Sequence, residues 1–228
     1  MAIAFRASNT AGNGNGTTLA ITKPTGTVDN DIVIINVYFE APLTTPAISG
    51  FTLVQEILET SSTPDMSQAT FIRVSASDGA SYSITFGGTS SWRTACVVSY
   101  SGASTTTPQD ATATENSGTT STTGTALGLT TVTANAMLVF CQADFNGASG
   151  SRSAWSSPCS NEQVDFFNVG LADGIQVSAG ASGNKTVTQA SSQWAAMLLA
   201  LRESGASPGG KAPVPRRRPL RVWNRRVA

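Results

Sequence analysis

The chain has 228 residues, with 14 basic, 14 acidic and no histidine, and only 12% of it is charged against a usual figure of about 25%. The missing histidine excludes Ser–His and Cys–His nucleophile pairs and removes the commonest metal ligand, while 40% apolar residues in short runs argue against disorder. The zero net charge is divided: residues 1–210 hold seven basic and all fourteen acidic residues, a net of −7, and residues 211–228 hold +7.

Apolar residues recur at alternate positions or in short runs bounded by Gly, Asn, Asp, Ser and Pro, which is the strand signature. Strands are predicted at 2–7, 17–23, 31–40, 51–58, 69–77, 82–86, 92–100, 127–132, 136–145, 163–168, 174–178, 185–189 and 193–202. The runs IVIINVYF, ACVVSY, AMLVF and QWAAMLLALR are apolar on both faces and predict central strands between two covered surfaces. AAMLLALR would also suit a short helix, but Trp194, Leu198 and Leu201 would close a sheet. Alternation in Phe71-Ile72-Arg73-Val74 and in Tyr82-Ser83-Ile84-Thr85-Phe86 predicts strands with one wet face.

So many short strands predict an all-β fold, a jelly-roll-like two-sheet β-sandwich with an extended basic C-terminal arm. The sandwich is expected over 1–204, a flexible linker over 205–210 and the arm over 211–228. A polar turn leading into a buried strand occurs twice, at Thr27-Val28-Asp29-Asn30-Asp31 and at Thr131-Val132-Thr133-Ala134-Asn135, with a spacing of 104. That echo suggests two related halves.

The segments between strands offer little chemistry. AGNGNGTT lacks the GK[ST] of a phosphate loop and reads as a turn between the first two strands. Asp29-Asn30-Asp31 lacks the further oxygens of a calcium loop and reads as an Asx-capped turn. The polar stretch 101–125 reads as a solvated or contact-bearing loop. Cys96 and Cys141 sit in apolar runs, as buried thiols in a reducing compartment, whereas Cys159 in SSPCS reads as an exposed loop cysteine. Glu56 with Glu59, and Asp144 with Glu162, are the carboxylate pairs a glycosidase would need, but sequence places neither across a cleft. Trp92 and Trp194 fall in predicted strands and read as core; Trp155 is the tryptophan expected in an exposed loop. No catalytic residue, cofactor or metal is expected. Neither a secretory leader nor a membrane span is legible.

The segment KAPVPRRRPLRVWNRRVA carries the strongest signal. Pro213, Pro215 and Pro219 exclude a regular helix through it, and at roughly 3.3 Å per residue it could reach about 60 Å. Its arginines could bind nucleic-acid phosphates with Trp223 stacking on a base. The favoured reading is a protein neighbour. Arg216, Arg217, Arg218, Arg221, Arg225 and Arg226 would pair with carboxylates, while Val214, Leu220, Val222 and Trp223 enter apolar pockets. Leu220-Arg221-Val222 has the alternation that suits addition to a sheet edge.

The stretches LAITKPTGTVDNDIVIINVYFE, GFTLVQEI, RTACVVSYSGAS followed by TPQD, and SQWAAMLLALRES together resemble phage virion structural proteins and their prophage-encoded relatives. The matching positions are Lys23, Pro24, Gly26, Asp31, Gly50, Phe51, Tyr100, Gly102, Pro108 and Asp110, within about residues 17–203. The resemblance implies a non-enzymatic jelly-roll protein on a capsid or tail, and its motifs are structural. The basic arm is not part of that pattern; attachment through it is inferred from its chemistry. The expected function is a capsid decoration or cement protein of the virion, assembled in the host cytoplasm. Its expected partners are the major capsid protein or copies of itself, in a homo-oligomer such as a trimer, with no membrane. A tail, fibre or baseplate component binding host glycan, and a nucleic-acid-binding virion protein, are the alternatives.

Overall fold

The computed structural model describes residues 1–40, 44–59, 65–148, 150–161 and 163–206. The arm 211–228 and residues 207–210 of the expected linker therefore lie outside the described residues.

The described chain is all-β. Its fifteen strands are β1 (Ala4–Asn13), β2 (Gly16–Thr22), β3 (Ile32–Glu40), β4 (Ala47–Ile48), β5 (Thr52–Glu59), β6 (Met66–Val74), β7 (Ser81–Ser90), β8 (Arg93–Ser101), β9 (Gln109–Ala126), β10 (Thr130–Thr131), β11 (Ala136–Asp144), β12 (Gln163–Phe166), β13 (Val169–Gln176), β14 (Gly180–Ala181) and β15 (Lys185–Leu201). Two five-stranded antiparallel sheets, ordered β1-β8-β3-β6-β5 and β9-β15-β11-β13-β12, face each other as the expected sandwich. Between them Ile34, Tyr38, Val98 and Tyr100 pack against Val139, Cys141, Met197 and Leu199.

Each sheet is also covered on its outer face, which is why β3, β8 and β11 are buried nearly throughout. The three-stranded sheet β2-β7-β4 covers the first, with Leu19, Ile21, Ile84 and Phe86 packed on Val33, Ile35, Phe39 and Val97. On the second, the far ends of β9 and β15 fold over, joined by the segment around Trp155 and Cys159, and Val187, Ala126 and Trp155 pack on Leu138, Phe140 and Leu198. The alternation of β7 marks a wet face, as expected. That read in Phe71-Ile72-Arg73-Val74 does not: β6 lies between β3 and β5, and seven of its nine residues are buried.

The two sheets have the same chain order across them: first, last, second, fourth and third of the strands each half contributes. In the first half, β1-β8-β3-β6 opposite β2-β7-β4 is the strand order of a jelly roll. The molecule is thus two halves with the same order in their larger sheets, packed through those sheets, and the first half has a jelly-roll order throughout. The spacing between them corrects the sequence echo by one residue. Asn30 and Asn135 both take left-handed backbone, at φ 72° and 57°. Ile32 and Met137 then hold equivalent places in their sheets: Ile32 pairs with Val74 and Tyr100, and Met137 with Ile175 and Leu201. A spacing of 104 would exchange inward for outward side chains along the whole strand, because side chains alternate with period two; 105 keeps them inside.

The second half also corrects the predicted elements. Residues 101–125 are not mainly a loop, since β9 runs for 18 residues along β15. An edge strand with one wet face needs few large apolar groups, and β-branched threonine suits it. The predicted strands 185–189 and 193–202 form one strand, with irregular register between Thr188 and Trp194 where it bends.

Candidate functional site

Arg216, Arg217, Arg218, Leu220, Arg221, Val222, Trp223, Arg225 and Arg226, the residues expected to grip a partner, lie outside the described residues. What the structure does place is the body, and one end of it carries an open groove of about 310 Å³. That volume is at the low end of ligand sites, at roughly 300 Å³. Glu40 and Trp92 come to it from the first half, and Phe145, Asn146, Gly147, Phe167 and Asn168 from the second. The groove therefore straddles the seam between the halves.

Its aromatic groups are fixed by hydrogen bonds. Trp92 Nε1 donates to Asn168 Oδ1 at 2.8 Å, and Asn168 Nδ2 donates to the carbonyls of Asp144 and Phe145, both at 2.9 Å. The Trp92 carbonyl accepts from Glu40 N at 3.1 Å and from Ser90 Oγ at 2.9 Å. Glu40 accepts from Tyr38 OH at 2.9 Å and from Ser91 Oγ at 2.7 Å. Phe167 stands edge-on to Trp92, with ring centres 6.4 Å apart. Trp92 is 37% exposed and Phe167 41%. Gly147 forms part of the floor, where a Cβ would come within 2.3 Å of the Phe167 carbonyl oxygen, so only glycine fits.

Beneath the groove lies a buried charge cluster. The Arg152 side chain is fully buried, with Nη2 2.7 Å from Asp144 Oδ2. Its Nη1 pairs with Asp165 and donates to the carbonyls of Phe167 at 2.8 Å and Val169 at 3.2 Å, while Nε donates to Gln142 Oε1. Gln142 Nε2 donates to Asp144 Oδ2 at 3.2 Å. Burial raises the Asp144 pKa, and Arg152 only partly offsets it. This cluster ties the loop after β11 to the β12–β13 turn that holds Phe167. Sequence reasoning missed it. The available signals were Gln142 and Asp144 ending an apolar run, and Arg152 as one of only seven basic residues in 1–210.

The expectations for Trp92, Trp155 and Cys159 are reversed. Trp92 sits in the short β7–β8 connection, just outside the strand, and is partly exposed. Residues 150–161 fold back over the second sheet, so Trp155 is buried edge-on against Phe140 at 5.1 Å and Cys159 is fully buried. Burial pushes the Cys96 and Cys159 thiols up to about 12, and Cys141 well above its ordinary value, so all three are protonated and inert. Of the carboxylate pairs, Asp144 belongs to the buried cluster, Glu162 lies outside the described residues, and Glu56 accepts from Thr45 Oγ1 at 2.7 Å. Among the described residues no group of three or more His, Cys, Asp or Glu could hold a metal ion.

The motif positions shape turns and junctions. Asp31 accepts from Val28 N at 2.9 Å and pairs with Arg6 at 2.6 Å, in the Asx-type turn expected there. Tyr100 OH donates to Asp173 at 2.8 Å across the sandwich. Gly102 has φ 76°, and a Cβ there would meet the Ala2 carbonyl oxygen at 2.2 Å. Asp110 accepts from Val132 N at 2.7 Å, Thr133 N at 3.2 Å, Thr133 Oγ1 at 2.6 Å and Arg202 Nε at 3.2 Å. Burial alone would raise its pKa, but these donors outweigh burial and hold it below the usual carboxylate range. Asp110→Asn should therefore cost about 2 kcal/mol at neutral pH. The sign follows from the lowered pKa: the wild-type advantage is present above the ordinary carboxylate pKa and is lost as the pH falls toward the folded one. Urea midpoints of both proteins across pH 7 to 3 check this, and should converge at the acidic end.

No family model, curated protein or solved structure matches the chain.

Proposed function

We propose that the chain is a non-enzymatic structural protein of a bacteriophage particle, most simply a capsid decoration or cement protein anchored to neighbouring subunits by its basic segment. The observation that carries this reading is the separation of charge: −7 over residues 1–210 and +7 over 211–228, with Val214, Leu220, Val222 and Trp223 interleaved among the arginines. A body of that charge gives every copy a complementary surface for the segment of the next. Apolar side chains between arginines suit a dry, specific contact better than a solvated phosphate backbone.

The body supports the same reading. Both main sheets are sealed by outer layers, and its buried polar groups serve the fold, as Asn36 does by donating to the carbonyls of Gln142 and Gly170 at 3.1 and 3.3 Å. The residues that carry the resemblance to phage virion proteins brace turns and the inter-sheet junction. The partners in this reading are the major capsid protein or further copies of the chain, in a trimer or another ring.

Imaging of purified particles with the protein labelled tests the proposal. Label at regular positions on the capsid surface is the expected result. Particles that carry no label, from cells that make the protein, would overturn it. Label confined to the tail would replace the decoration role with a tail role.

A further inference from the structure

We propose that the groove at the seam of the two halves is a carbohydrate site that takes one neutral pyranose ring against Trp92 and Phe167. This inference stands on the groove alone and does not depend on where the protein is located.

The first observation is the side-chain set. Two partly exposed aromatic rings at 76° to one another form a corner, and the C–H face of a sugar ring packs on such surfaces. Around the corner lie the Glu40 carboxylate, which accepts from sugar hydroxyls, and Asn146, whose exposed amide can both donate and accept. Among the described residues no lysine or arginine lines the groove, so a phosphate or carboxylate on the ligand would meet Glu40 without a counter-charge from them. Neutral sugars fit this lining and acidic sugars do not.

The second observation is backbone strain. Phe166 pairs with Val169, so Phe167 and Asn168 form a two-residue hairpin turn. Phe167 has φ 45°, a left-handed value at the first turn position, where glycine is favoured and a bulky side chain is an outlier. Strain of this kind persists where the surrounding structure enforces it, and it concentrates at functional sites. Here the enforcing contact is Arg152, which holds the Phe167 carbonyl from below at 2.8 Å. Glycine would relieve that strain but lose the ring's edge-on contacts with Phe166 at 4.7 Å and with Trp92. The ring's exposed side is an apolar wall to the groove.

Third, the rings are set before any ligand arrives. Trp92 is oriented by Asn168, which is itself fixed to two backbone carbonyls, so little side-chain freedom remains to be lost on binding.

The test uses the full chain and four probes: the methyl glycosides of glucose, galactose, mannose and N-acetylglucosamine, with sialic acid as the acidic control. Binding is followed by protein-observed NMR. At least one neutral glycoside should give saturable shifts at residues of the groove, with a dissociation constant on the order of 1 mM, as expected for a single ring. Phe167→Gly should weaken that binding at least about tenfold while moving the thermal midpoint little, because relief of the turn offsets the lost contacts with Phe166 and Trp92. Trp92→Ala should abolish it. Absence of saturable shifts with all four glycosides would overturn the proposal. So would binding that survives both substitutions, binding of sialic acid alone, or a Phe167→Gly protein that keeps full affinity.

Discussion

Deleting residues 211–228 should leave a protein that folds as the full chain does and no longer joins particles. The described cores are built from residues between Ile3 and Leu201, and the strands that close them run from Ala4 to Leu201. The far-ultraviolet spectrum and thermal midpoint should therefore be unchanged. Particle affinity should fall about a thousandfold, the effect of losing two anchoring side chains at roughly 2 kcal/mol each. Trp223→Ala alone should cost about thirtyfold, because a tryptophan among arginines has the composition of an interface hot spot. Co-sedimentation of purified protein with particles lacking it measures both effects. Full occupancy by the truncated chain would refute anchoring. Salt separates the remaining reading: if the segment binds nucleic acid, log affinity falls with log salt at a slope near −0.9 for each phosphate contact.

Arg152→Met should be the most damaging single substitution in the body. The arginine side chain is fully shielded from solvent, and its removal leaves Asp144 buried without its cation and Asp165 without its closest partner. Breaking a buried pair in this way costs about 3–5 kcal/mol, against a total stability of about 5–15. The deficit should depend on pH with a definite sign. Burial already raises the Asp144 pKa in the intact protein, and removing Arg152 takes away a cation that lowers it. The folded variant then takes up a proton more readily than its unfolded chain does. Its stability should rise as the pH falls from the raised value toward the ordinary carboxylate pKa of about 4. Asp78 and Asp110, whose pKa values are lowered, cost stability in acid equally in both proteins, so the difference between them reports Asp144. Denaturant titrations at pH 7 and pH 5 compare the two, and the gap between them should be smaller at pH 5. Adding Asp144→Asn to Arg152→Met should recover part of the loss at pH 7. A pH-independent deficit would mean that packing and not charge is what Arg152 supplies.

The groove was only partly legible. Trp92 was visible as a tryptophan but was placed inside a strand, because nothing in SSWRTACVVSY shows that the turn ends one residue later. Phe167 carries no turn signal in the sequence, because a phenylalanine is not the residue that a turn position favouring glycine calls for. Glu40, Asn146 and Asn168 are far apart in sequence and are ordinary residue types. Trp155 and Cys159 were misplaced for a related reason. A Ser-rich, Pro-containing segment looks solvated until an apolar sheet face is found that needs covering.

Local sequence carries the all-β class, the strands buried on both faces, the turn at Asp31 and the division of charge. These follow from local alternation, turn chemistry and counting, which need no partner strand. Packing settles the rest: two halves with the same sheet order lie face to face, 105 and not 104 relates their central strands, and Trp92 and Phe167 share a groove. Strand pairing joins residues up to about a hundred positions apart, and a one-residue change of register turns every side chain to the opposite face. That choice is made by the packing of whole sheets.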